Sequence, residues 1–188
     1  MTRRTQRDWL LAGLEIVTAE GRDGLKLEAL CSRLGVTRGS FYHHFRDLAD
    51  YRTQLLEFYR REGTLQIIEV VDREAAPRQR LERLLALIVE LWSAPEQDPS
   101  PAIRAWALQD AEVRGVQEEI DVQRVQYVER LLSQMGAEPA RARLLSEFLY
   151  ALLVGCEQMH PPVDGGRLRA VFDEYLRLIY HSLNPEVP

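Results

Sequence analysis

The chain reads as an all-α protein of about nine helices, and three observations carry that reading. Apolar residues recur at helical spacing through every long segment. No stretch alternates with period two over a useful length, and no Asn-Gly or Asp-Gly turn joins β-branched runs. None of the nine prolines precedes Pro77, and most of the rest fall in short polar connections. There is no internal repeat and no low-complexity segment.

A first helix is expected over about residues 7–20, with Leu10, Gly13, Leu14 and Val17 on one face and Gly21 closing it. Gly24 ends the loop that follows. A short second helix spans about residues 27–34 and stops at Gly35; Thr37 caps a third that reaches about residue 44. Asp47, with Asp50 three residues on, caps a long fourth helix that carries Leu55, Leu56, Tyr59 and Ile67 to about residue 72. Ala75-Ala76-Pro77 breaks the chain before a fifth helix over about residues 78–93, with Leu81, Leu84, Leu85, Ile88 and Leu91 as its stripe. The prolines at 95, 99 and 101 mark a loop. A sixth helix covers about residues 102–109. A seventh, over about 112–134, holds Val116, Ile120, Gln123, Tyr127 and Leu131 in register, and Met135-Gly136-Ala137 closes it. The eighth begins at Pro139, a favourable first helical position, and runs to about residue 159; the ninth spans about 166–183, between Pro161-Pro162 and Pro185.

The last two helices show more apolar surface than one core requires. The eighth offers Leu144, Leu145, Phe148, Leu149, Leu152, Leu153 and Cys156; the ninth offers Leu168, Val171, Phe172, Tyr175, Leu178, Ile179 and Leu183. A surface helix needs a stripe of only about 100°. The excess predicts a second copy of the chain as partner, with Leu145, Phe148, Leu149, Leu152, Phe172, Tyr175 and Ile179 in the dimer interface. The competing reading makes both helices simply central in the monomer.

Composition narrows the function. The chain has 188 residues, 46% of them hydrophobic, enough to bury about two-thirds of the unfolded surface without staples. Two cysteines, Cys31 and Cys156, argue against a disulfide framework, and the absence of any CxxC pair or Cys/His cluster argues against structural zinc. The N-terminal stretch is polar and basic, and the longest uncharged apolar run, 148–156, is far short of the ~20 residues a membrane span needs; a cytoplasmic chain without membrane contact is expected. The net charge of −5 argues against nonspecific nucleic-acid binding by the whole chain, but it is unevenly spread. Residues 1–62 hold 11 Lys and Arg against 9 Asp and Glu, a net +2, and residues 63–188 hold 13 against 20, a net −7. No acid lies between Glu28 and Asp47, where Arg33, Arg38, His43, His44 and Arg46 stand. Such a window is either a solvated charged face or a footprint for phosphates.

Residues 27–45 read LEALCSRLGVTRGSFYHHF: a helix, a turn with glycine, and a second short helix. That is the layout of a helix-turn-helix. Val36 is placed to tuck into the core at the turn, and Phe41 and Phe45, four apart, anchor the second helix inward. Thr37, Arg38, Ser40, Tyr42, His43 and His44 are left outward, all of them hydrogen-bond donors, a surface suited to a phosphate-lined groove. Gly39 costs helix propensity of ~1 kcal/mol but lets the backbone approach DNA closely.

The N-terminal segment LLAGLEIVTAEGRDGLKLEALCSRLGVTRGSFYHHFRDLADY, and above all GVTRGSFYHHF, resembles the DNA-binding domain of TetR-type (TetR/AcrR) transcriptional repressors. The resemblance is strong over about residues 7–60; the remainder shares helical layout and length. It implies a nine-helix fold in which residues 1–47 form a DNA-binding domain and residues 48–188 a ligand-binding and dimerisation domain. The fourth helix links the two, and the last two helices pair with their symmetry mates in a four-helix bundle. By position, Thr37, Tyr42 and His44 resemble the family's phosphate contacts, while Arg38, Ser40 and His43 stand where base edges are reached. Two departures matter. Lys26 occupies the place of the usual capping Thr or Ser, so the cap is lost, although Lys26 can still reach a phosphate. Leu48 and Ala49 open the fourth helix where a lysine is common, leaving Arg46 or Arg52 to substitute.

In the second half, Trp92, Trp106, Tyr127 and Phe148 are the aromatic candidates for a ligand cavity, with Arg104, Gln109, Gln123 and Glu147 as polar neighbours. The bland reading makes the aromatics plain core. His43 and His44 diverge by about 100° on a helix and do not suit one metal ion; Glu157 and His160 lack a third ligand. No catalytic triad, paired-carboxylate site or cofactor motif is present, so neither an enzymatic activity nor a cofactor is expected. The leading expectation is a homodimeric repressor that binds a double-stranded palindromic operator and is released by a small-molecule effector. The rivals are a helical adaptor that has lost DNA binding and an all-helical enzyme or carrier using the same cavity.

Overall fold

The structure, a computed structural model, describes residues 4–92, 98–161 and 163–183. The expected end of the fifth helix at Ser93, Pro95 of the proline loop, Pro162 and Pro185 lie outside them. Among the described residues the helices are α1 (Gln6–Glu20), α2 (Leu27–Leu34), α3 (Arg38–Tyr42), α4 (Leu48–Arg60), α5 (Gln66–Val71), α6 (Pro77–Trp92), α7 (Ser100–Ala107), α8 (Ala111–Gln134), α9 (Pro139–Gln158) and α10 (Gly165–Leu183). A π turn at Arg61–Leu65 joins α4 to α5, so the two together are the long fourth helix expected from sequence, interrupted at Gly63. The remaining boundaries differ by a residue or two. α1 starts early because Thr5 and Asp8 form a capping box: Asp8 N donates to Thr5 Oγ1 (3.2 Å) and Thr5 N to Asp8 Oδ2 (2.7 Å). α7 starts at Ser100 and takes Pro101 into its first turn, where a missing N–H costs nothing.

The chain divides into two compact units. The first comprises residues 4–63 and 98–119. The division by packing falls after Gly63, and this unit takes in α7. In this unit α1 buries Trp9, Leu10, Ala12, Ile16 and Val17, and packs against α2, α4 and α7. Leu30, Phe41, Phe45, Tyr51, Leu55, Leu56 and Ile103 complete the core. Gly13 makes the α1–α4 approach possible: a Cβ there would lie 1.9 Å from the Tyr51 hydroxyl. That hydroxyl donates to the Trp9 carbonyl at 2.8 Å, and burial pushes its pKa far up.

The second unit comprises residues 64–92 and 120–183. Its core gathers Val71, Leu81, Leu84, Leu85, Val89, Tyr127, Leu131, Leu132, Leu145, Leu149, Leu168, Phe172, Tyr175 and Ile179. α6 packs on α5 and α10. Leu91, expected on the α6 stripe, is 56% exposed, and Val89 takes the buried position. The Tyr175 hydroxyl donates to the Leu145 carbonyl at 2.9 Å and ties α10 to α9.

Candidate nucleic-acid interface

The turn between α2 and α3 is made by Gly35 in the left-handed region (φ 67°, ψ 39°), a conformation that a Cβ disfavours. The Val36 N–H donates to the Cys31 carbonyl at 3.1 Å and satisfies the helix end. The chain is then extended at Thr37 before α3 begins. Thr37 occupies the cap position, but its hydroxyl makes no cap bond. α3 is five residues long and stops at Tyr42; His43 and His44 lie in the turn beyond it, where the expected helix still ran.

An aromatic cluster sets the orientation of α3. The Phe41 ring lies 5.5 Å from Trp9, 5.1 Å from Phe45 and 5.6 Å from Tyr51, centroid to centroid. Phe41 and Phe45 are 1% and 2% exposed, so the opposite face of α3 must point to solvent. Thr37, Arg38, Gly39, Tyr42 and His43 are exposed there, and Ser40 is half-buried. Gly39 is not required by the fold: an added Cβ would meet nothing nearer than Thr37 Oγ1 at 3.8 Å.

His44, expected to point outward, and Arg52, expected as one substitute for a lysine, are engaged with the chain itself. His44 is half-buried, and its Nε2 lies 3.1 Å from the Arg4 carbonyl oxygen. The Arg4 guanidinium in turn donates to the Leu34 carbonyl at 3.2 Å, closing the end of α2. Arg52 is held by Asp110 at 2.6 Å, with its guanidinium 5.1 Å from the Trp106 ring centroid. Arg46 remains at the surface, 3.5 Å from Asp50, whose carboxyl is held below its usual value chiefly by the Arg46 N–H. Lys26 is exposed at the start of α2 and caps nothing, as expected. Asp47 caps α4, accepting from the Asp50 N–H at 2.8 Å.

The acid-free window does not stay acid-free in three dimensions. Arg33 pairs with Glu15 (3.3 Å) and Glu20 (3.6 Å) of α1. Arg38 pairs with Glu28, across the turn. These contacts join separate helices and leave no periodic trace in the sequence.

The expected ligand residues fall in both units. In the first, Arg104 is half-buried, Gln109 is exposed and the Trp106 Nε1–H donates to Asp110 Oδ2 at 3.3 Å. In the second, the Trp92 Nε1–H donates to the Val163 carbonyl (2.6 Å) and the Tyr127 hydroxyl to Asp72 (2.7 Å). The buried Gln123 Oε1 has no hydrogen-bond partner among the described residues. Sequence reasoning passed over two polar contacts of α8: the Tyr150 hydroxyl donates to Asp121 at 2.6 Å, and Arg124 Nε to Thr64 Oγ1 at 3.0 Å. Their signal was the row of polar residues in the middle of an otherwise apolar stripe.

Phe148 opens outward, 47% exposed, onto a groove along α9 and α10 lined also by Arg141, Leu144, Leu145, Tyr175 and Leu178. Of the other residues expected at a dimer interface, Leu145 and Ile179 reach the groove's floor while 8% and 1% exposed, and Tyr175 is 2% exposed. Leu149 and Phe172 are buried in the unit's own core, and Leu152 is half-buried. Leu144 and Leu178, more than half or half exposed, are the apolar residues that stand beside Phe148 at the surface.

Among the described residues no three His, Cys, Asp or Glu gather as metal ligands, and no helix is long and apolar enough to cross a membrane.

Residues 10–49 match the family described as bacterial regulatory proteins, tetR family. The transcriptional regulator AcuR of Cereibacter sphaeroides is 40% identical over 48 residues, which span 26% of this chain and 22% of that protein. The fold is similar to that of a TetR-family transcriptional regulator from Streptomyces coelicolor, with a TM-score of 0.79 at 18% identity over 97% of this chain and 91% of that one. It is also similar to a transcriptional regulator from Saccharomonospora viridis in complex with choline (TM-score 0.72, 15% identity, 92% of this chain and 95% of that one).

Proposed function

We propose, on the premise that this chain belongs to the TetR/AcrR family through residues 10–49, that it is a homodimeric DNA-binding repressor which a small molecule releases from a palindromic operator. The observation that carries the reading is the outer face of α3. Thr37, Arg38, Tyr42 and His43 are exposed donors on a helix pinned from behind by Phe41 and Phe45. Gly39 supports it further, because the chain itself has room for a side chain there; the glycine makes sense if something outside approaches the backbone. An enzyme or carrier has no need of this face. In this reading residues 1–47 hold the DNA and residues 48–188 dimerise and sense the effector. One α3 from each protomer enters successive major grooves, about 34–36 Å apart.

The effector belongs to the α8 region, where the buried Gln123 Oε1 has no hydrogen-bond partner among the described residues. The choline bound by the similar fold from S. viridis supports a small molecule in this role. Release follows if the effector favours a conformer whose paired α3 helices no longer match the groove spacing. By linkage, operator DNA then weakens effector binding by the same factor.

The test is enrichment of randomised duplexes on the protein, followed by Gly39→Ala. The wild type is expected to retain a two-fold symmetric sequence with affinity falling steeply in salt. Gly39→Ala is expected to melt no lower than wild type, since alanine is the better helix former, yet to bind roughly tenfold more weakly, a change of about 1.4 kcal/mol. Wild type that enriches no sequence overturns the reading.

A further inference from the structure

We propose that Glu28 sets the sequence discrimination of this surface by holding Arg38: it positions the arginine for a base edge and keeps it off the phosphates of other DNA. The inference rests on the DNA-binding reading above and goes beyond it by assigning a role to an acid.

Glu28 is the second residue of α2 and Arg38 the first residue of α3, and their side chains meet across the Gly35 turn. Both are exposed, at 64% and 65% of the side chain. The stability of an exposed pair is small, so folding gives little reason for it. Its position gives a better one. Cys31, one turn along α2 from Glu28, is buried, and the pair's charges lie near enough to act on its thiol. The pair thus bridges α2 and α3 across the Gly35 turn. A carboxylate at a surface that meets phosphates is repelled, and an uncompensated one would weaken every complex alike. Here the contact is with Arg38 Nη2. An arginine has five N–H donors, so four remain for a two-pronged contact with a guanine edge. The pairing fixes an otherwise freely rotating guanidinium, which favours a rigid acceptor in one place over a phosphate wherever one occurs.

The other arginines of the window differ. Arg33 is tied back to α1 by two acids, and Arg46 leans on Asp50, whose carboxyl also accepts the Arg46 N–H as part of the α4 start.

The experiment uses the full chain, a duplex selected by the wild type from a randomised pool, and a random-sequence duplex of equal length. Glu28→Gln removes the charge and keeps the shape of an exposed residue. It is expected to tighten binding to random DNA and to steepen its salt dependence by about 0.9 in log–log slope, the increment of one more phosphate contact. The ratio of selected to random affinity should fall at least about fivefold, the low end of one arginine–guanine discrimination. In an Arg38→Gln background, Glu28→Gln should leave that ratio unchanged. If Glu28→Gln strengthens both duplexes by the same factor, or lowers the ratio equally without Arg38, the role assigned to Glu28 is wrong while the DNA-binding reading stands. If the wild type selects no duplex at all, both are overturned.

Discussion

Gly13 and Tyr51 show how tightly a single residue constrains this molecule. The Tyr51 hydroxyl reaches the Trp9 carbonyl only because residue 13 has no side chain; a Cβ there would be 1.9 Å from the hydroxyl oxygen and 3.0 Å from Cζ. Gly13→Ala should therefore destabilise the fold by about 1–3 kcal/mol, the usual cost of overpacking, against the small gain a helical alanine would otherwise bring. Tyr51→Phe removes the clashing atom. Alone it should cost about 1 kcal/mol for the lost hydrogen bond, and combined with Gly13→Ala it should recover part of the loss. Denaturant titration of the four proteins checks this; strictly additive losses would mean that the clash is relieved elsewhere. Gly13 was placed on the correct face from spacing alone, but its need to be glycine depends on a tyrosine 38 positions away.

Among the elements, the start of α8 is where α4 and α7 are held together. Asp110 accepts from the Glu112 N–H (3.1 Å) with one oxygen, and from Arg52 (2.6 Å) and the Trp106 indole (3.3 Å) with the other. Burial raises its pKa, but the Val113 N–H, Arg52 and Trp106 outweigh it, so the carboxyl sits below the usual 3.8. A depressed folded-state pKa contributes stability above the unfolded value, and that contribution is lost as pH falls through the folded value. Asp110→Asn keeps a capping side chain and deletes the charge. It should lower stability by about 1–2 kcal/mol at pH 7, with the gap to wild type closing below about pH 4. Unfolding curves at pH 7 and pH 3 make the comparison, and an equal gap at both would assign the effect to shape rather than charge. Arg52 is the element-scale surprise. Its place on α4 suggests a phosphate contact, and only the tertiary structure brings it to Asp110, between α7 and α8.

At the scale of the whole molecule, the expectation is a two-fold dimer through α9 and α10. The apolar stripes of both helices were legible in sequence, but not their division between core and surface. Phe172 is 2% exposed and Phe148 is 47% exposed, although both belong to the same expected interface. The two should therefore respond differently to one substitution. Phe148→Arg places a charge in the groove with Leu144 and Leu178 and should give a folded monomer. Phe172→Arg buries a charge in the core and should unfold the chain. Sedimentation with circular dichroism separates these outcomes. A wild-type chain that sediments as a monomer at micromolar concentration would leave the groove to another use.

What the sequence by itself determined is what depends on neighbours along the chain. Spacing of apolar residues placed the helices, Gly35 placed the turn, and Phe41 and Phe45 oriented α3. These signals are local because helical hydrogen bonds and caps reach only three to five residues. Tertiary structure alone decided the rest: that His44 meets Arg4, that Arg52 meets Asp110, that Glu28 meets Arg38, and that Val89 rather than Leu91 is buried on α6. Each of these depends on which helix lies opposite, and a stripe wide enough for two faces does not say which one the core will take.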